Sequence, residues 1–120
     1  MPTTTGARFP DSIPATWLAA RLAVDPVKID VMRRSGELIA VREPGSIEWR
    51  YPAWQFDKGK PRRGVARVVA AAREAGIDEA RLYEVLTASL GLRESGRRRL
   101  VDLLLEGRED EVVAAVRAAH

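Results

Sequence analysis

Arg33 and Arg34 stand side by side, with Lys28 a little over one helical turn earlier, in the stretch "DPVKIDVMRRSG". Cationic side chains at that spacing share the outer part of one short helix. Their chemistry is anion recognition: arginine forks two hydrogen bonds to phosphate oxygens or to the acceptor edge of guanine, and lysine supplies a point charge. Val27 precedes them on the same outer surface, and Arg42 and Arg50 follow in the segment "VREPGSIEWRY". Two more basic runs stand out, "KGKPRR" at Lys58–Arg63 and "RRR" at Arg97–Arg99. Arginines at the start of a helix oppose its dipole, so Arg97, Arg98 and Arg99 suggest a use, either on phosphates or on the acidic surface of a partner.

Other chemistries find little support. The chain has no cysteine, which excludes disulfides, thiol nucleophiles and cysteine-based zinc sites. His120 is the single histidine and the last residue given, a poor position for an imidazole that must be held against a partner. No serine lies in G-x-S-x-G, and the glycines assemble into neither a phosphate loop nor a dinucleotide fingerprint. Glu106, Glu109, Asp110 and Glu111 could hold a metal, but acids at a helix start are better explained by the helix dipole. The expectation is a protein that is not an enzyme and uses no cofactor and no metal.

The elements that must position the basic residues are legible from period and punctuation. "IPATWLAARLAV" reads as a first helix with Trp17, Leu18, Leu22, Ala15 and Ala19 near one stripe, and Pro14 in its first turn. Asp25 as cap, Pro26 at the first helical position and Gly36 as stop bound a second helix. Its Ile29 and Met32 point inward, leaving Val27, Lys28, Asp30, Arg33 and Arg34 mostly outside. Asp30 is unfavourable beside a polyanion unless it accepts from a cytosine amine or pairs with a neighbouring arginine. "LIAVR", the turn signal "EPGS" and the alternating "IEWRY" then predict a hairpin with Ile47, Trp49 and Tyr51 on one face. Pro52 ends its ladder, and "AWQF" turns back.

"DKGKPRRG", Asp57 to Gly64, reads as the boundary. Beyond it lie four short helices. Val65, Val68, Val69 and Ala72 form a stripe ending at Gly76; Leu82, Val85, Leu86 and Leu90 form a second ending at Gly91, with Asp78 as cap. "SGRRRLVDLLLEG" contains a third, and "REDEVVAAVRAAH" a fourth with Val112, Val113 and Val116 on one side. The reading is an α+β, mostly α chain: a tail over 1–12, a winged helix-turn-helix segment over 13–57 and a helical segment over 62–120. The aromatic hairpin is expected to pack against the C-terminal helices.

Composition sets the remaining bounds. With 46% hydrophobic and 31% charged residues, a net charge of +3 and no apolar run near the roughly 20 residues that span a bilayer, the chain reads as neither disordered nor membrane-spanning. The start "MPTTTGARFPDS" has no signal-peptide pattern, so a cytoplasmic protein is expected.

Helix, short turn, capped helix and hairpin is the order of a winged helix-turn-helix, whose second helix enters the major groove while the hairpin loop touches the backbone. "LAARLAVDPVKIDVMRRSGELIAVREPGSIEWRYPAWQF" resembles the MerR-type and excisionase-type segments. Over about residues 15–119 the chain resembles small bacterial antitoxin-like proteins of the Xre/MbcA/ParS class. "YPAWQF" reproduces their aromatic, proline, small, aromatic, glutamine, phenylalanine string, and "LVDLLLEGREDEVVAAV" their last two helices. Family members usually carry a proline where this chain has Arg99, and frequently a tryptophan where it has Met32.

This resemblance implies a homodimer that binds double-stranded DNA, represses its own promoter and neutralises a protein toxin, often of the RES type. On it, Val27, Lys28, Arg33, Arg34, Arg42 and Arg50 would meet DNA, while Arg97, Arg98, Arg99, Arg117 and His120 would lie toward the toxin. Two alternatives stay open: a protein-interaction module whose helix-turn-helix no longer binds DNA, and an excisionase-like architectural factor that bends it.

Overall fold

The computed structural model describes residues 9–88 and 99–119. The chain is α+β and mostly helical. By its internal contacts it divides into two units, Met1–Pro61 and Arg62–His120.

In the first unit, strand β1 (Ser12–Pro14) runs directly into helix α1 (Ala15–Leu22), and helix α2 (Pro26–Arg34) follows after three residues. Ala23 ends α1 in the left-handed region at φ 58°. The Val24 N–H then closes on the Ala19 carbonyl at 3.0 Å, which satisfies an orphan carbonyl of the last turn. Asp25 caps α2 by accepting from the Val27 N–H at 2.9 Å, with Pro26 at its first position.

The sheet differs from the expected hairpin. Val41 and Arg50 exchange both backbone bonds at 2.8 Å, and this single bridge closes the loop 42–49. Strand β2 (Arg50–Pro52) then pairs antiparallel with β1, in the register Ser12–Pro52, Ile13–Tyr51 and Pro14–Arg50. Part of the segment expected to be tail is structured: Phe9 is buried and Ser12 lies in a strand. Ile47, expected on the inner face with Trp49 and Tyr51, is 91% exposed in the loop, because the alternation has no ladder to face.

After a single 3₁₀ turn (Ala53–Gln55), strands β3 (Phe56–Asp57) and β4 (Lys60–Pro61) form a two-residue hairpin where a polar linker was expected. Its turn residues Lys58 and Gly59 both have positive φ, 52° and 78°, as a type I′ connection requires.

Leu18, Ala19, Ile29, Leu38, Ala40 and Tyr51 make the core of this unit, with Ile13, Leu22, Met32, Trp49 and Phe56 packed against it. Trp17 is not part of it. It lies one position from Leu18 and is 67% exposed, so the inward stripe of α1 passes through Ala15, Leu18, Ala19 and Leu22. Gln55 stands in for a strand neighbour: its fully buried amide accepts from the Ile39 N–H and donates to the Ile39 carbonyl, both at 2.7 Å, and also reaches the Pro52 carbonyl at 3.1 Å.

The second unit contains α3 (Val65–Glu74), α4 (Glu79–Thr87), α5 (Leu100–Leu105) and α6 (Glu109–Ala118). The stripe Val65, Val68, Val69, Ala72 is buried as its spacing requires. Helix α3 packs on α6, α6 on α5 and α5 on α4. Leu100, Val101, Leu103 and Leu104 of α5 are buried, as are Val112, Val113 and Val116 of α6. Asp78 caps α4, accepting from the Arg81 N–H at 2.8 Å. Leu90 and Gly91, expected to finish α4, lie outside the described residues.

Candidate nucleic-acid interface

Helix α2 presents its basic residues unequally. Successive positions turn by about 100°, so Val27, Val31 and Arg34 share the side opposite the buried Ile29. Val27 is 69% exposed and Val31 49%. Lys28 is exposed on the flank and has no carboxylate partner among the described residues.

Asp30 organises the end of the helix. One oxygen accepts from the Arg33 Nη2 at 2.5 Å, and the other accepts from the Arg34 Nε at 2.7 Å and also from its Nη2. The hydrogen bond from Arg33, then that from Arg34, holds the Asp30 carboxyl below its ordinary value, with desolvation opposing. The acid that would repel a polyanion is thus matched by two arginines.

Arg33 is not the free arm expected of it. Its side chain is 20% exposed, and its guanidinium lies over the Trp49 ring, 4.3 Å from the centroid. The Arg42 guanidinium lies over the same ring at 4.6 Å. Each such contact is worth about 0.5–1 kcal/mol at a partly exposed site. Together they tie both ends of loop 42–49 to the last turn of α2. Burial of Tyr51 beside this cluster pushes its phenol up, against the Arg33 charge.

Arg50, expected on the outer face of the hairpin, turns inward. Its Nε donates to the Ser12 Oγ at 3.1 Å and its Nη2 to the Ser12 carbonyl at 2.8 Å. Ser12 is itself buried, and its hydroxyl donates to the Phe9 carbonyl at 2.6 Å. The arginine is a strut between β2 and β1. The aromatic string that follows serves the same end, with the Trp54 Nε1 donating to Asp11 Oδ2 at 2.7 Å.

The outward residues of this face are therefore Val27, Lys28, Val31, Arg34 and Arg42. Val31 is an outward residue beyond those expected, and its place one helical turn from Val27 is a spacing the sequence already contains. Trp49 packs against the core as its alternation predicts; its further role as the ring that receives two guanidiniums depends on a loop the sequence does not position.

The second cluster is different. The Arg99 backbone N–H donates to Asp102 Oδ2 at 2.8 Å, and its guanidinium pairs with that carboxylate at 3.6 Å, which offsets a cation at the start of α5. Arg117 pairs with Glu74 at 3.5 Å. Arg97, Arg98 and His120 lie outside the described residues. Among the described residues no group of three or more acids or histidines is placed to hold a metal, and no helix is long and apolar enough to cross a membrane.

No family model matches the chain, and no curated protein matches it. Among solved structures it is similar to the NMR structure of Rv2175c, with a TM-score of 0.76 at 23% identity over 98% of this chain and 88% of that one, a likeness of fold.

Proposed function

We propose that the first unit binds double-stranded DNA and that the protein is a transcriptional regulator. Helix α2 lies in the major groove and loop 42–49 follows the phosphate backbone, in the manner of a winged helix-turn-helix. The observation that carries this reading is the Arg33–Trp49–Arg42 cluster. It fixes loop 42–49, which carries Arg42 together with Glu43 and Glu48, against the end of a helix that bears Lys28 and Arg34. A surface that must match a rigid duplex gains from such preorganisation, since less order has to be imposed on binding.

Two cationic roles follow. Lys28 and Arg42 contact phosphates, and Arg34, with 71% of its side chain exposed, reaches a phosphate or a guanine edge. The test is titration of the protein's own upstream promoter fragment and of random duplex at two salt concentrations. The upstream fragment should bind more tightly, and Arg34→Ala should weaken binding by about 5–150-fold if it reads a guanine. Equal, weak affinity for both duplexes would sink the regulator reading.

The toxin partner, self-repression and the homodimer rest on the sequence resemblance; the geometry adds no support to them. Arg99 and Arg117 each already have a carboxylate of their own. Co-expression with the product of a neighbouring RES-like reading frame tests the partner directly: with residues 100–120 removed the complex should be lost.

A further inference from the structure

The outer side of α2 is apolar where a solvated helix would be charged. Val27 and Val31 stand one turn apart on it, 69% and 49% exposed, and Val24, just before the cap, is 36% exposed. Isolated surface hydrophobics need no explanation, but two on one side of a nine-residue helix, a turn apart, do. Valine is also a poorer helix former than the lysine, glutamate or glutamine that usually cover a solvated face. These valines therefore cost helix propensity and return no burial within the described structure.

The surroundings identify what covers them. Lys28 flanks the stripe on one side without a carboxylate partner among the described residues, and Arg34 extends it by a further turn. Arg42 stands on the loop tied to the same helix. Of the two acids beside the stripe, Asp25 accepts from the Val27 N–H as the helix cap, and Asp30 is engaged by Arg33 and Arg34. An apolar line bordered by cations fits a surface that is anionic at its edges and carries methyl groups between them. The major groove of DNA is such a surface, and the C5 methyl of thymine is its one apolar feature.

We propose that Val27 and Val31 read thymine methyl groups, so that the preferred site carries thymine opposite each of them. This rests on the DNA-binding reading above and adds the base class that the helix selects. Burying one methyl-sized group corresponds to about a fourfold gain in affinity, so two contacts together amount to about fifteenfold.

The experiment is selection of preferred duplexes from a random pool by the full chain, then replacement of each thymine in the preferred site by deoxyuridine. That exchange removes the methyl and leaves every hydrogen-bonding group in place. At one or two positions it should weaken binding about fourfold each. Val27→Ser should lose the effect at one position and Val31→Ser at another, so that mutation and base change are non-additive. Both valines are exposed, so the serine variants should keep the fold, which far-ultraviolet circular dichroism verifies. Sequence-selective binding that ignores deoxyuridine at every position would overturn the methyl reading while leaving DNA binding intact. Failure to bind any duplex above random would overturn both.

Discussion

Gln55 is a polar side chain with no exposed surface. Its side-chain amide forms both backbone bonds of Ile39 and a third with Pro52, at a site with no access to water. Gln55→Leu keeps the volume and deletes all three partners. Each buried group left unpaired costs about 1–3 kcal/mol, and some relaxation is available, so a loss of about 2–4 kcal/mol is expected. Trp17, Trp49 and Trp54 all belong to the first unit. Urea unfolding followed by tryptophan fluorescence therefore reports on the first unit; a midpoint within error of the parent would show that the amide bonds are dispensable.

Asp30 carries the pH dependence at the same scale. Its carboxyl is lowered in the folded chain, first by the Arg33 hydrogen bond and then by Arg34. The stabilisation is therefore complete above the ordinary carboxylate range and is lost as pH falls through the lowered value. Asp30→Asn should remove that part of the acid sensitivity, so the parent's melting temperature should drop more than the variant's between pH 7 and pH 3.

Among the elements, α1 ends under strain. Ala23 is exposed and left-handed at φ 58°, a conformation that glycine adopts freely and alanine does not. Ala23→Gly should therefore stabilise the first unit by about 0.5–1 kcal/mol, the relief outweighing the added freedom of the unfolded chain; a lower urea midpoint for the variant would contradict this.

The same elements mark what a sequence can disclose. Helix α2 was legible to its ends because Asp25, Pro26 and Gly36 are local signals acting within one turn. The stripes of α3 and α6 were legible because 3.6-residue spacing survives any packing. Strand β1 was not: three residues ending in proline carry no periodic signal, and its partner β2 lies about 40 positions away. That one omission accounts for Arg50 and for the expected hairpin ladder. Without β1, Arg50 has no Ser12 to hold and reads as an outward arm. Ile47 to Tyr51 reads as a ladder although only Val41–Arg50 bridges across. Trp17 went astray for a narrower reason, since a helix of eight residues whose apolar positions nearly encircle it does not determine which side faces the core.

Across the whole molecule, net charge alone does not say where a polyanion would bind. Residues 1–61 hold nine bases against seven acids and residues 62–120 eleven against ten, which gives +2 and +1. Pairing discriminates where net charge does not. In the second unit Arg67 bridges Asp110 at 2.8 Å and Glu109 at 3.3 Å, Arg108 bridges Glu111 at 2.5 Å and Glu106 at 3.6 Å, and Arg81 bridges Glu84 at 3.2 Å. In the first, Arg21, Lys28, Arg42, Lys58 and Lys60 have no carboxylate partner among the described residues. A cation already neutralised by a neighbouring carboxylate releases few counterions from DNA, whereas an unpaired one releases nearly its full share. The logarithm of affinity against the logarithm of salt should therefore lose about 0.9 in slope for each phosphate contact removed. Lys28→Ala and Arg42→Ala are each expected to lower the slope by about that amount, and Arg67→Ala and Arg108→Ala to leave it unchanged. A slope that falls equally for all four would mean that the duplex is held by diffuse charge over both units and that α2 and its loop have no privileged place in binding.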